Sequence, residues 1–297
     1  MSQSQPVLIA ETTDVRPFAR LLRGVGLKHN AVMTISEAGF EVTVEEIKTL
    51  CAIAWIPTNL FSSFTFNKPA DEEPPACFEI SLDGLLQCLN IFGNATTAGA
   101  GPPAMAVKRR HDDAKGPTTS CQLRVLEPEE LMNQEFNQAD CVLYLIMKSE
   151  WFRDALADLP PTSSRITLTA TPRHQPAPPD VAQATASSNA RRTHRADVGN
   201  FSIKAIGDFG SVELDYPNDK EVMDRFDCES VVSFSYHSSH FALLSRALAQ
   251  SIKICLQVES TGFLCVQIMM PVGENVPLGH HSGILEFKMH ALEEDDN

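Results

Sequence analysis

The sequence lacks any continuous apolar run near the eighteen or so residues that a membrane-spanning helix needs, so no such helix is expected. The opening residues, MSQSQPVLIAETTDV, have neither a basic start nor a long apolar stretch, and no targeting segment stands out. There is no GxxxxGK(S/T) phosphate loop, no GxSxG elbow and no HExxH pair. The GVG at 24–26 lacks a third glycine and closes a helical stretch instead of opening one, so a helix cap is the better reading. The eight cysteines form no CxxC pair, and several sit in apolar runs such as KICLQV and FLCVQI. That usage suits buried, reduced thiols in an intracellular protein. Positive charge is also scarce. Lys and Arg number 24 against 38 Asp and Glu, giving a net charge of −14 and a pI near 5.0. Free-standing DNA-binding domains are usually basic. Contact with DNA would therefore require the basic groups to be gathered on one surface.

What the sequence does contain is many short stretches of period two. In VSFSYH (232–237), Val232, Phe234 and Tyr236 alternate with Ser233, Ser235 and His237. ILEFKMH (284–290), ITLT (166–169) and IKICLQV (252–258) alternate in the same way. Such stretches predict half-buried antiparallel strands. Four segments have a helical period instead: 16–26, 82–92, 150–159 and 239–251. The first two start 66 residues apart and the last two 89 apart, which becomes 62 when the Pro-, Ala- and Ser-rich stretch 173–199 is set aside. One structural unit used twice would give this spacing. The reading is an α+β chain of two similar domains, each with two helices packed on antiparallel sheets. The boundaries drawn are 1–126, a connector at 127–139, and 140–291 with 173–199 as a flexible insertion; 292–297 is an acidic tail.

In the first helical segment, about 100° per residue places Arg16, Arg20 and Arg23 on one stripe and Phe18, Leu21, Leu22 and Val25 on the other side. With the apolar side on a sheet, the arginines should point outward. The plainer reading is a solvated helix face. The functional one is contact with DNA phosphates without base readout. The third and fourth helices each add one basic residue to the corresponding face, Arg153 and Arg246.

Metal and catalytic readings are weaker. His237 and His240 could share a metal, but no third ligand is near them in sequence. His280 and His281 are adjacent and suit a surface turn. Two-metal nucleases need clustered carboxylates, for which Glu213, Asp215, Asp219, Glu221 and Asp224 are the candidates. No second carboxylate strand is recognisable, so no catalytic residue, metal ligand or cofactor is assigned.

Four co-linear stretches carry a resemblance: AGFEVTVEEIKTLCAIAWIP (38–57), FEISLDGLLQCLNIFG (78–93), VELDYPNDKEVMDRF (212–226) and TGFLCVQIMM (261–270). Together they resemble the RAD-one-type subunit of the nine-one-one DNA-damage checkpoint clamp, a PCNA-like sliding clamp. The resemblance implies a nuclear heterotrimer with RAD-nine-type and HUS-one-type subunits, loaded onto double-stranded DNA by a RAD-seventeen-type clamp loader. The ring would then signal to checkpoint kinases and recruit repair enzymes. By position it implies that Arg16, Arg20 and Arg23 face the hole, and that partners dock beside 127–139. An exonuclease, which has been proposed in this family, and a scaffold without DNA contact remain as alternatives.

Overall fold

A computed structural model describes residues 8–46, 49–67, 76–90, 123–132, 134–172, 199–271 and 283–293. The insertion at 173–199 and the tail therefore lie almost wholly outside the described residues, as do His280 and His281. The chain forms two compact units. One comprises Met1–Gln134 with Met269–Phe287, and the other Glu135–Ile268 with Lys288–Asn297.

In the first unit the order is β1 (Leu8–Glu11), α1 (Arg16–Gly24), β2 (Asn30–Ser36), β3 (Gly39–Glu46), β4 (Leu50–Pro57), β5 (Ser63–Phe66), β6 (Ala76–Ser81), α2 (Leu82–Leu89) and β7 (Val125–Leu126). The second unit runs β8 (Cys141–Lys148), α3 (Ser149–Asp158), β9 (Arg165–Thr171), β10 (Asn200–Gly207), β11 (Gly210–Pro217), β12 (Met223–Cys228), β13 (Val232–His237), α4 (Ser238–Leu248), β14 (Lys253–Glu259) and β15 (Leu264–Met270). A last strand, β16 (Gly283–Met289), lies mostly in the first unit.

The two units repeat one plan. Strand β1 pairs with β5, and β8 pairs with β12. The order β4-β3-β2-β6 in one is matched by β11-β10-β9-β13 in the other. All the registers resolved between these strands are antiparallel. One difference matters later: β4 has β16 on its far side, whereas β11 has only β10 among the described residues.

Local chemistry explains the helices. Proline is tolerated in a first helical turn because its missing N–H has no intrahelical partner there, and Pro17 occupies that place in α1. The α2 cap is Ser81, whose Oγ accepts from the Gly84 N–H at 3.1 Å. Helix α3 stops ahead of Pro160, with Leu159 already extended, as the residue before a proline prefers. The strand at 232–237 has the predicted bounds, and the helices end one to three residues short of the periodic stretches.

Packing follows the alternation. In β8, Leu143, Leu145 and Met147 are buried, and in β10 Phe201, Ile203 and Ala205. Phe152 of α3 and Phe241 of α4 lie 6.0 Å apart between ring centres, and Tyr236 packs edge-on against Phe241. The Tyr236 hydroxyl donates to the Gly262 carbonyl at 2.9 Å. Burial raises its pKa far above the usual phenol range. In the first unit, Leu21 and Leu22 of α1 and Val25 just after it are fully buried. Gly24 has Leu285 of β16 directly against it, and a Cβ built on Gly283 would stand 2.5 Å from Leu21. Neither position has room for a methyl group, so α1 rests directly on the final strand.

Candidate nucleic-acid interface

The three arginines of α1 lie on one side of the helix, but all three are half-buried. Arg16 is held by Asp14: its Nε and Nη2 donate to the two carboxylate oxygens at 2.9 and 2.8 Å, and Asp14 Oδ1 also accepts the Arg16 backbone N–H at 3.0 Å. Burial alone would raise the Asp14 carboxyl. The Arg16 hydrogen bonds and the charges of Arg16 and Arg20 outweigh it, leaving the group below the usual carboxylate range. Arg20 Nη1 donates to the Pro271 carbonyl at 3.2 Å. Arg23 sits lower than an ordinary guanidinium, first because of burial and then because Arg20 is close.

The expectation of a fully outward stripe is thus modified. Helix α1 is only nine residues long and its flank is closed by rings, since Phe18 lies 5.9 Å from Phe40 and 5.7 Å from Phe61. The rings come from β3 and the stretch after β4, so a helical period could not reveal them.

Arg153 is exposed on α3 and donates to its neighbour Asp154, with Nη2 at 2.8 Å. It borders a recess of about 520 Å³ between α3 and α4, lined also by Leu156, Pro160, Ile166, Phe241 and Ser245. The solvent face of α3 carries Glu150, Asp154 and Asp158 beside this single cation. Arg246, in the last turn of α4, is exposed and makes no ion pair among the described residues. Among the described residues each unit therefore sets two helices side by side, with a basic group on three of the four. No period in the sequence marks the recess at the start of β2, of about 540 Å³, where Lys28 and His29 meet Glu45, Glu79 and Asp83.

The acidic candidates do not converge. Glu213 faces Lys204 at 3.8 Å, and Asp215 accepts from Asn200 Nδ2 at 3.1 Å. Asp219 accepts the Glu221 N–H, and Asp224 pairs with Lys253 at 2.8 Å. They are divided between β11, the following loop and β12, which belong to different sheets. Among the described residues no three His, Cys, Asp or Glu side chains are placed to hold a metal ion. His237 and His240 touch at 5.3 Å between ring centres, and burial followed by the His237 charge lowers the His240 pKa.

Comparison with known proteins gives a consistent result. The family described as "Repair protein Rad1/Rec1/Rad17" matches residues 7–270. The mouse cell cycle checkpoint protein RAD1 is 27% identical over 277 residues, covering 90% of this chain and 87% of its own. The DNA damage checkpoint control protein rad1 of Schizosaccharomyces pombe is 24% identical over 284 residues, covering 88% and 80%. A DNA repair exonuclease, REC1 of Mycosarcoma maydis, is 26% identical over 162 residues, covering 52% of this chain and 34% of its own. With the match running through both units, this chain belongs to the Rad1/Rec1/Rad17 family of repair proteins.

Proposed function

We infer that this chain works in the DNA-damage checkpoint as one subunit of a heterotrimeric, PCNA-like ring clamp, and not as an enzyme. The carrying observation is the family match through both units, taken with the helix pair repeated in each. Its partners in this reading are RAD-nine-type and HUS-one-type subunits, and a RAD-seventeen-type loader closes the ring on double-stranded DNA in the nucleus. Arg16, Arg20, Arg23, Arg153 and Arg246 meet phosphates, which every base pair offers equally, so the ring holds DNA without choosing a sequence. The segment 127–139 joins the two domains and borders a docking face for repair and signalling proteins.

Assembly in this reading uses the open side of β11. A long unpaired strand edge invites another strand. Its counterpart β4 is covered by β16, and a neighbouring subunit supplies the equivalent strand to β11.

The name of the Mycosarcoma relative favours a nuclease, but the separate partners of Glu213, Asp215 and Asp224 weigh against a two-metal centre. Co-expression with candidate partner subunits, followed by native mass spectrometry and DNA retention across a salt series, tests the reading. A one-to-one-to-one complex with salt-sensitive retention is expected. A stable ring of three identical copies, or magnesium-dependent degradation of DNA by the purified chain, would overturn it.

A further inference from the structure

The β10–β11 hairpin ends in an apolar point. Phe209 is 98% exposed and Ile206 is 68% exposed. Single exposed hydrophobic residues are common and need no special explanation. Four observations set this pair apart.

The first is rigidity. Gly207 lies so close to the loop after α3 that a Cβ would stand 2.6 Å from Thr162 Oγ1 and 2.7 Å from Pro160 Cβ. The Asp208 N–H also donates to Thr162 Oγ1 at 3.1 Å. The point is therefore braced against the body of its unit.

The second is that the turn does not require an aromatic residue. The β2–β3 hairpin closes with the same two-residue loop, between Ser36 and Gly39, and Gly39 and Gly210 have similar positive φ values of 136° and 147°. The loop position taken by Phe209 holds Ala38 there. Turn geometry alone is met by a methyl group.

The third is that no described residue covers the point. A Cβ on Gly210 would find no atom within 4 Å.

The fourth is continuity. From Gly210 the chain runs into the open edge of β11, with Val212, Leu214 and Tyr216 half-buried along it. A strand laid on that edge would finish their burial and would end beside Phe209.

The geometry points to Phe209 and Ile206 as the anchor that selects which neighbouring subunit docks on β11. The inference rests on the ring reading above and adds a determinant of partner choice to it. The occupant is a protein subunit presenting a strand edge with an apolar recess beside it, rimmed by a basic side chain to meet Asp208. A rigid aromatic anchor loses little freedom on docking, and such residues carry a disproportionate share of interface affinity.

The test is the double variant Ile206→Thr with Phe209→Ser in the full chain. Both side chains lie in solvent, so the monomer should keep its far-ultraviolet circular dichroism and melting midpoint. Pairwise affinity for each partner subunit is then measured beside the wild-type chain. We expect affinity for one neighbour to fall at least about tenfold while the other is unchanged. Unchanged affinity for both, or an equal loss for both, would overturn the anchor. If the wild-type chain binds neither subunit, the ring reading itself fails, and the two failures are told apart by that control. Concentration-dependent dimers of the wild-type chain that vanish in the variant would show the point to be a self-association contact, and would also overturn partner selection.

Discussion

Arg16 grips Asp14 two residues before it, with side-chain hydrogen bonds of 2.9, 3.2 and 2.8 Å, so the first cation of the α1 stripe enters any DNA contact already partnered. The pair also fixes the start of the helix, because Asp14 Oδ1 accepts the Arg16 backbone N–H. One ion pair thus joins the folding of α1 to the charge it can offer.

That pairing has a pH signature. The Asp14 carboxyl lies below its ordinary value of 3.8, so the charged form is favoured in the folded state. Its stabilisation is complete above the unfolded value and is lost as pH falls through the lower folded value. The variant Asp14→Asn keeps an acceptor for the backbone N–H and removes the charge. Its unfolding free energy should lie slightly below wild type at neutral pH, by no more than about 1 kcal/mol for a pair this exposed. The gap should close below about pH 3.8. A gap that persists or widens on acidification would refute the assignment.

The seating of α1 on β16 gives a second expectation. A Gly24→Ala methyl would collide with Leu285, so the usual helix-propensity gain from alanine should be reversed. Overpacking of this kind costs about 1–3 kcal/mol. Denaturant unfolding should show a lower midpoint for Gly24→Ala, with Gly26→Ala, where the nearest atom is 3.4 Å away, much closer to wild type. Equal effects at the two glycines would contradict the packing.

These elements show what a sequence can and cannot carry. The alternation of Val232, Phe234 and Tyr236 is local, and it located β13 without error. The period that buries Leu21, Leu22 and Val25 is equally local. Strand β16 was legible as a strand, yet its place beside β4 was not, because alternation fixes the face of a strand and not its neighbour. The arginine stripe was legible as a spacing. Its partners were not: Arg20 donates to the Pro271 carbonyl, 251 residues away and well beyond any helical window. Phe209 carries no signal in the sequence, since one phenylalanine in a GDFG turn has no period; only its exposure reveals it.

The stretch 173–199 offers a third prediction. Thr171 at the end of β9 stands opposite Asn200 at the start of β10, so the chain leaves and returns at adjacent points. A short Gly-Ser turn can span that gap. Replacing the stretch with such a turn should leave soluble protein with an unchanged melting midpoint, because lengthening or shortening a loop shifts stability only slowly. A large loss of soluble yield or of melting temperature would show that the segment packs on the body.

The last prediction separates the basic groups by their present partners. A cation that contacts a phosphate releases counterions from DNA, and losing one such contact should lower the salt slope of binding by roughly one unit for every sequence alike. Arg246 is exposed and carries no ion pair among the described residues, so its whole charge is available. Arg16 must share its charge with Asp14, and Arg153 must share with Asp154. In the assembled trimer, Arg246→Ala should therefore reduce DNA retention at moderate salt more than Arg16→Ala or Arg153→Ala. The triple change of Arg16, Arg20 and Arg23 to alanine should reduce it further while the trimer stays intact. Asp14→Asn should act in the opposite sense, releasing Arg16 and raising retention modestly. Retention measured between low and moderate salt on unrelated DNA sequences tests the whole set. The order fails if Arg16→Ala is as damaging as Arg246→Ala, and the phosphate reading fails if the triple variant keeps the wild-type salt slope.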